Sequence, residues 1–270
     1  MPARLLLFLV PFFFEWVKRK IDARVERRVG PPLMQPIYDY FKLLHKEIII
    51  PEGAGIFFRL GPILLFLFSV FAVFIAWSKP TWSIVYLLAI FAMMTFVKML
   101  MSSSVKSQFT VFGTGRLASM KLALDPAFPL AFLAPAFVWG FDMVWPIKAG
   151  LFLPLAFIAA IAELELPPFD ISHAKTEIVA GWKTEFSGGL LALINYAENA
   201  KMVAVSLMLA ALLGPSVFWL KTLGVFMVMA IFSIALPRMR INKAIRFLSF
   251  INILTMLEVI VSLNWAYLLV

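Results

Sequence analysis

Residues 163–188 read ELELPPFDISHAKTEIVAGWKTEFSG and lie between two runs that are apolar enough to cross a membrane. The segment places several carboxylates and His173 beside the bilayer. A charge at the centre of a transmembrane helix costs roughly 2.5–3.5 kcal/mol on insertion scales. Ionisable residues gathered next to membrane helices therefore indicate a functional region, and the alternative is a solvated polar loop.

The composition around this segment indicates an all-α, polytopic membrane protein. Hydrophobic residues make up 63% of the 270 residues and charged residues only 14%. A soluble domain of this size has too small an interior to hide so much apolar surface. The net charge of +9 resides mostly in short loops between apolar runs. This pattern is typical of membrane topology signals, so we expect the lipid bilayer and no nucleic acid as a partner.

Apolar runs of spanning length divide the chain into about eight predicted transmembrane helices. The first run is short enough to resemble the core of a signal peptide, but no small-residue cleavage site follows it and its positive charges come after it. We therefore expect a retained first helix and a single integral membrane domain over residues 1–270. The predicted spans lie near residues 3–17, 58–78, 82–101, 117–140, 146–165, 189–213, 217–236 and 244–269.

The Lys and Arg residues predict the orientation of these helices. Most of the 24 lie in or beside the loops at about residues 18–57, 102–116, 166–188 and 237–243. By the positive-inside rule these loops face the cytoplasm, both termini lie on the outer side, and the protein resides in the cytoplasmic membrane. The opposite side holds only Arg4, Lys79, Lys148 and Lys221.

The chain has no cysteine and only two histidines. Iron–sulfur clusters need cysteine thiolates and nickel–iron sites need soft sulfur ligands, so neither is expected in this chain. Zinc motifs and cysteine nucleophiles are excluded for the same reason. We predict no catalytic, cofactor-binding or metal-binding residue here, and any redox centre lies in a partner.

The first cytoplasmic loop carries a predicted amphipathic helix. Its basic residues 18–28, KRKIDARVERR, precede the segment QPIYDYFKLLHKEIIIP, which runs to Pro51. The helical spacing fits either a plain interfacial helix or a docking platform for a cytoplasmic partner. The apolar face comprises Ile37, Phe41, Leu44 and Ile48, and the polar face comprises Gln35, Asp39, Lys42 and Lys46.

The third cytoplasmic loop is expected to hold a short helix that begins near His173 and is capped by Asp170 or Ser172. Glu177 follows His173 by four residues, so the two side chains are expected to face each other on that helix.

Several ionisable residues fall within the predicted spans themselves. Glu198 and Lys201 are three residues apart on one helix and are expected to neutralise each other. So many groups in one chain favour an internal polar path for ions over paired structural charges. The full set is Lys98, Asp125, Glu163, Glu198, Lys201 and Glu258.

Two of these segments carry a family resemblance. QPIYDYFKLLHKEIIIP and AELELPPFDISHAKTEIVAGWKTEFSG resemble the signature segments of the NADH dehydrogenase subunit 1 family, the H subunits of respiratory complex I. That family includes the homologous membrane subunit of energy-converting nickel–iron hydrogenases. The resemblance covers essentially the whole chain. It implies a subunit that docks a hydrophilic redox arm and passes a coupling signal to antiporter-like membrane subunits.

The resemblance also implies which residues take part in docking and in ion movement. Matching positions are Gln35, Asp39, Lys42, Glu163, Phe169, Asp170, Glu177, Gly181, Thr184, Glu185, Ser187 and Gly188, and Asp125 and Glu198 lie near the places of two more family glutamates. The expected ion path comprises Lys98, Asp125, Glu163, Glu177, Glu185, Glu198, Lys201 and Glu258. The expected docking loops use Arg27, Arg28, Gln35, Asp39, Lys42, Lys46, Asp170, His173 and Lys175. Iron–sulfur clusters and a nickel–iron or equivalent centre are expected in hydrophilic, hydrogenase-like partner subunits.

One departure from the family pattern bears on the electron acceptor. Complex I members usually resemble PFDLPEAESELVAGF here, whereas this chain has His173 and Lys175 in place of two glutamates. The lost negative charges favour a quinone-independent membrane-bound hydrogenase or sulfur reductase. The alternative is the quinone-binding H subunit of a complex I-like oxidoreductase.

Two functions outside this family are alternatives. A stand-alone ion transporter is expected to show internal repeats. An intramembrane prenyltransferase is expected to show paired aspartate-rich motifs. The sequence contains no convincing example of either feature.

Overall fold

A computed structural model describes residues 6–78, 83–139, 152–173, 175–214 and 217–268. Its regular elements are helices, with short 3-10 turns at Leu6–Phe8 and Gly181–Lys183. The all-helical fold class is therefore confirmed. In chain order the helices are α1 (Val10–Val25), α2 (Gln35–Leu44), α3 (Ile56–Ser78), α4 (Ser83–Ser103), α5 (Gln108–Leu124), α6 (Ala127–Trp139), α7 (Phe152–Glu163), α8 (Lys175–Ile178), α9 (Gly188–Leu212), α10 (Phe218–Ala235) and α11 (Ile241–Leu268).

Five helical stretches among the described residues are long and apolar enough to cross a membrane. They are Ile56–Ser78, Ser83–Ser103, Gln108–Pro135, Phe218–Ala235 and Ile241–Val261, and the shorter helix α7 is also apolar. The protein is therefore embedded in a membrane and crosses it several times. Eight spans and outward termini stay predictions, since residues 140–151 and both chain ends lie outside the described part.

Helix α9 is the central helix of the bundle. It packs against α1, α2, α3, α7 and α10, and every residue from Lys201 to Ala210 is buried. Its partners cover the faces that carry Glu198 and Lys201. These charges consequently face protein and not lipid, which is where ionisable groups in membrane segments are tolerated.

The first loop differs from its prediction in two ways. Helix α1 continues to Val25, well past the predicted span end at residue 17. Helix α2 ends at Leu44, so Ile48 and Lys46 lie beyond it and the predicted helix up to Pro51 is wrong.

The reason for this early end is a tertiary contact. The backbone N–H of Ile49 donates to Ser187 Oγ at 2.9 Å. A Cβ on Gly188 would fall 2.6 Å from the Glu47 carbonyl oxygen, so glycine allows the close approach. Contact with the start of α9 therefore overrides the helical pattern after Leu44.

The predicted span over residues 117–140 is broken at Asp125 and Pro126, between α5 and α6. Proline has no N–H to continue the helical ladder. Asn252 Nδ2 donates to the Ala123 carbonyl at 2.5 Å beside the break. Helix α5 also begins nine residues earlier than predicted, at Gln108. Lys121 consequently lies inside a membrane helix and is buried.

The third loop folds back into the bundle. Trp182 is fully buried, and a Cβ on Gly113 would fall 2.6 Å from the Trp182 backbone nitrogen, so α5 packs directly on the loop. Gly181 has a φ of +59°, and a Cβ there would fall 1.8 Å from the Ser172 carbonyl oxygen. The alternative prediction for this segment, a solvated polar loop, is therefore wrong.

Candidate functional site

Glu163 is the centre of a buried group of three charges. It ends α7, and its Oε2 lies 2.6 Å from Lys121 Nζ of α5 while its Oε1 lies 2.5 Å from Lys201 Nζ of α9. Lys121 Nζ also donates to the Glu163 carbonyl at 2.8 Å. All three residues are at least 95% buried. One carboxylate thus holds two ammonium groups in the interior, where Coulomb attraction is strong.

A second buried carboxylate, Glu165, follows in the chain. Its Oε1 lies 2.7 Å from Lys98 Nζ of α4, and its Oε2 accepts from Ser172 Oγ at 2.5 Å. His173 Nε2 lies 3.1 Å from the same Oε2. Ser172 and His173 belong to the third loop, so Glu165 joins that loop to a membrane helix. Glu165 is not among the functional residues predicted from the sequence.

Glu198 of α9 belongs to the same region. It pairs with Lys183 of the third loop, and its Oε1 lies 3.7 Å from Lys98 Nζ and 3.9 Å from His173 Nε2. The predicted pairing of Glu198 with Lys201 is wrong, because Lys201 turns to Glu163 instead. Helical spacing places two residues near each other but does not exclude stronger partners on neighbouring helices.

The ring of Trp182 lies beneath these charges. Lys98 Nζ is 5.0 Å and Lys183 Nζ 5.3 Å from its centroid, both within cation–π range. The His173 ring centroid lies 5.4 Å from that of Trp182. The predicted contact of His173 with Glu177 is therefore wrong, since His173 points inward to Glu165. Asp170 binds Arg238, Ser172 binds Glu165, and the short helix begins at Lys175.

These groups form one network, here called the buried charge network. Lys98 lies between Glu165 and Glu198, Glu163 precedes Glu165 by two residues and binds Lys121 and Lys201, and Asp125 and Glu163 line the same cavity. Lysines and carboxylates are equal in number, so the network carries no net charge when all members are ionised. Its buried or partly buried members are Lys98, Lys121, Lys183, Lys201, Glu163, Glu165 and Glu198, and Asp125 is an exposed member at its edge.

Asp125 borders a cavity of about 400 Å³ between α4, α5 and α6. Thr95, Lys121 and Glu163 supply the other polar side chains of its wall, and the rest of the lining is mainly apolar. The cavity is therefore bordered both by the break between α5 and α6 and by Glu163 with its partner Lys121. Polar groups in a space of this size are able to hold water.

A separate cluster joins the first loop to α9. Arg19 of α1 binds Glu15 and also Asp39 Oδ2 of α2, the latter at 2.5 Å. Asn199 Nδ2 of α9 donates to Glu15 Oε2 at 2.7 Å. Partial burial raises the pKa of Asp39, but hydrogen bonds from Arg19 and Gln35 outweigh it and hold that pKa below its usual value. Glu15, Arg19 and Asn199 are also absent from the functional residues predicted from the sequence.

The remaining predicted residues lie at the surface or apart from the network. Glu177 Oε2 binds Arg116 at 2.5 Å, and Asp170 Oδ2 binds Arg238 at 2.6 Å. Arg27, Arg28, Lys42 and Lys46 are exposed. Glu185 follows the 3-10 turn and Glu258 lies on α11, both partly buried. Lys175 begins α8, and its side chain lies outside the described residues. In the described part of the chain, no three His, Cys, Asp or Glu residues are placed to hold a metal ion.

Known proteins resemble this chain in sequence and in fold. The NADH dehydrogenase family matches residues 2–263. The H subunit of NADH-quinone oxidoreductase from Dehalococcoides mccartyi strain CBDB1 is 32% identical over 90% of this chain and 81% of the relative. Its counterpart from strain ATCC BAA-2266 is 31% identical over the same shares. A chain of the membrane-bound sulfane sulfur reductase, an archaeal respiratory membrane complex, matches with a TM-score of 0.83 and 21% identity. That match covers 95% of this chain and 97% of the other.

Proposed function

Because this chain belongs to the NADH dehydrogenase family and is a membrane subunit of a complex I-like respiratory complex, we propose that it docks a soluble redox arm and couples electron transfer to ion movement. In this proposal the chain carries no redox centre. Hydrophilic, hydrogenase-like and iron–sulfur subunits supply the electrons, and antiporter-like membrane subunits move protons or sodium ions across the cytoplasmic membrane.

The observation that carries this proposal is the course of the buried charge network. It begins at Lys183 in the third loop, beside His173, and reaches Glu163 at the end of α7 and Asp125 at the break between α5 and α6. A displacement of the loop moves Lys183 and His173 relative to Glu198. Since charges interact strongly in a low-dielectric interior, the displacement changes the stability of every neighbouring ion pair. The loop and the cavity are thereby coupled.

The first loop supports the docking part of the proposal. Helix α2 exposes Tyr38, Phe41 and Lys42, and Arg19 ties its Asp39 to α1. Asn199 then ties α1 to α9, next to Glu198. A partner bound on α2 therefore has a mechanical connection to the network as well as an electrostatic one.

The favoured version is quinone-independent, as in a hydrogenase or a sulfur reductase. His173 supports it, since this side chain occupies a place where the family pattern has a glutamate and binds Glu165. A carboxylate at that place would lie beside Glu165 and Glu198 and would repel both. The alternative is a quinone-binding H subunit, and the names of the sequence relatives favour it.

The test is an acceptor assay on the purified complex. Hydrogen evolution, polysulfide reduction and quinone reduction are compared in one preparation, with electrons supplied by reduced ferredoxin or NADH. Turnover with protons or polysulfide but not with quinone supports the favoured version, whereas quinone reduction that is sensitive to His173→Glu supports the alternative. Full retention of soluble redox subunits on membranes that lack this chain would overturn the docking role itself.

A further inference from the structure

A positively charged cleft of about 590 Å³ lies where the third loop meets the start of α11. Its two acidic residues are already paired, Glu177 with Arg116 and Asp170 with Arg238. The cleft is therefore left with an excess of positive charge. Its basic residues are Arg116, Arg238, Arg240, Lys243 and Arg246.

Arg240, Lys243 and Arg246 supply this excess. All three are exposed or partly exposed, and their side chains make no hydrogen bond or ion pair with any residue that the structure describes. Arg240 immediately precedes α11, and Lys243 and Arg246 follow at intervals of three residues in its first turns, so all three line the cleft. Three cations aimed at one cleft fit a multiply hydrogen-bonded anion such as phosphate.

An apolar groove of about 620 Å³ continues from this cleft. It shares Arg238, Met239, Arg240 and Lys243 with the cleft, and its further walls are Pro168, Leu236, Pro237 and Phe247. The groove thus begins at the basic residues and lies between the end of α10 and the start of α11, both of which are membrane-spanning in length and composition.

We propose that this composite site binds one anionic membrane lipid, with its phosphate headgroup on Arg240, Lys243 and Arg246 and its acyl chain in the apolar groove. The positive-inside rule accounts for the basic residues of the loop but not for an apolar groove beside them. A free phosphate ion would occupy only the cleft, and a soluble protein partner would not use an apolar path between membrane helices. An anionic lipid is complementary to both parts, and basic pockets between membrane helices on the cytoplasmic side are suited to such headgroups. The proposal goes beyond the coupling role and does not depend on it.

The test uses the intact complex in detergent, titrated with phosphatidylglycerol, with phosphatidylcholine of the same acyl chains, or with inorganic phosphate. The readouts are the thermal unfolding midpoint and the lipid retained in native mass spectrometry. We expect phosphatidylglycerol to raise the midpoint and to be retained, with little effect of the other two probes. The triple variant Arg240→Gln, Lys243→Gln, Arg246→Gln is expected to lose roughly 100-fold in apparent affinity, the order expected for three basic groups at an anionic surface.

Two further variants separate this lipid site from general charge effects. The control Arg24→Gln, Arg59→Gln, Lys106→Gln removes three exposed basic residues that line neither the cleft nor the groove, and it is expected to keep wild-type affinity. Leu236→Trp fills the groove without changing charge and is expected to weaken phosphatidylglycerol binding.

Three results would overturn the proposal. They are equal affinity losses in the two triple variants, stabilisation by inorganic phosphate as large as that by phosphatidylglycerol, and loss of soluble subunits from the cleft variant with unchanged lipid affinity. The last result would assign the cleft to a protein partner. Since none of these measurements involves ion uptake, their failure leaves the coupling proposal intact.

Discussion

Lys201 Nζ lies 2.5 Å from Glu163 Oε1, so the central helix α9 is joined to the end of α7 by a buried ion pair. The same carboxylate also binds Lys121 of α5. Three helices therefore depend on one acidic side chain, which is placed between the third loop and the cavity beside Asp125. A group in this position has both a structural and an electrostatic role, and substitutions are able to separate the two.

Replacement of Glu163 by glutamine tests the structural role. Glu163→Gln keeps the shape of the side chain but leaves two buried ammonium groups without a counter-charge. Removal of one partner from a buried ion pair typically costs about 3–5 kcal/mol. We expect a loss of that order in the free energy of unfolding, measured by thermal or denaturant unfolding of the purified complex.

The matched control is Glu177→Gln, which removes an ion pair to Arg116 at a site where Glu177 is 60% exposed. Exposed pairs contribute about 0–1 kcal/mol, so this variant is expected to unfold like the wild type. Adding Lys201→Met to Glu163→Gln removes one of the stranded charges and should restore part of the stability. Equal unfolding midpoints for Glu163→Gln and Glu177→Gln would contradict the structural role.

Membrane residence, helical content and the family follow from the sequence because they rest on long-range patterns. Apolar runs fix where helices form, and two polar segments carry the resemblance. Charge pairing is harder, since it depends on which helices touch. Glu198 and Lys201 are one turn apart, yet each finds its partner on another element.

Lys121 and Glu165 show a second limit of sequence reasoning. Lys121 lies near the predicted start of a span, where a lysine is usually solvated, and only the early start of α5 at Gln108 places it in the interior. Glu165 lies next to a pair of prolines that indicate a loop, but the loop folds inward around Trp182 and buries it. The local sequence signal for Lys121 is its position shortly before Asp125 and Pro126, which indicate a helix break beside a candidate charge pair.

Asp39 provides a pH-dependent test of the link between α1 and α2. Its pKa in the folded protein lies below the ordinary value of 3.8. The stabilisation from this group is therefore fully present above about pH 4–5 and is lost as the pH falls through the folded pKa. Because Arg19 and Asp39 are each 37% exposed, we expect an effect below about 1 kcal/mol.

The measurement compares unfolding midpoints of the wild type and Asp39→Asn between about pH 3 and pH 7, a range that covers the loss of this stabilisation. The difference should be constant in the upper part of this range and should shrink below the ordinary pKa of 3.8. A difference that instead grows on acidification would show that the ion pair with Arg19 is not the source of the stabilisation.

Lys42 tests the docking surface on α2. The side chain is exposed, so Lys42→Glu should reverse the local charge without disturbing the helix bundle. We expect soluble subunits to be released from membranes, while the chain itself still inserts in normal amounts because most basic loop residues remain. Immunoblots of washed membranes measure both. Lys42→Arg is the control and should retain the soluble subunits, and a full complement of them in Lys42→Glu membranes would count against docking at this helix.

Glu198 and Asp125 test the coupling role. Glu198→Gln removes the carboxylate that holds Lys98, Lys183 and His173 together, and Asp125→Asn removes the acidic group at the cavity. Both changes preserve side-chain shape but abolish a titrating group. We expect electron transfer to a soluble acceptor to persist while ion uptake per electron falls at least several-fold, because neither residue lies on the loops that are proposed to dock the redox partners.

Loop variants provide the contrast. Glu177→Gln and Glu185→Gln lie on the third loop, where docking and coupling meet, so in these variants electron transfer and ion uptake should fall together. The two quantities are measured in the same inverted vesicles, acceptor reduction by absorbance and ion uptake by a pH- or sodium-sensitive dye. If Glu198→Gln and Asp125→Asn both retain the wild-type ratio of ions to electrons, the buried charge network is a structural assembly of ion pairs and the path for ions lies elsewhere in the complex.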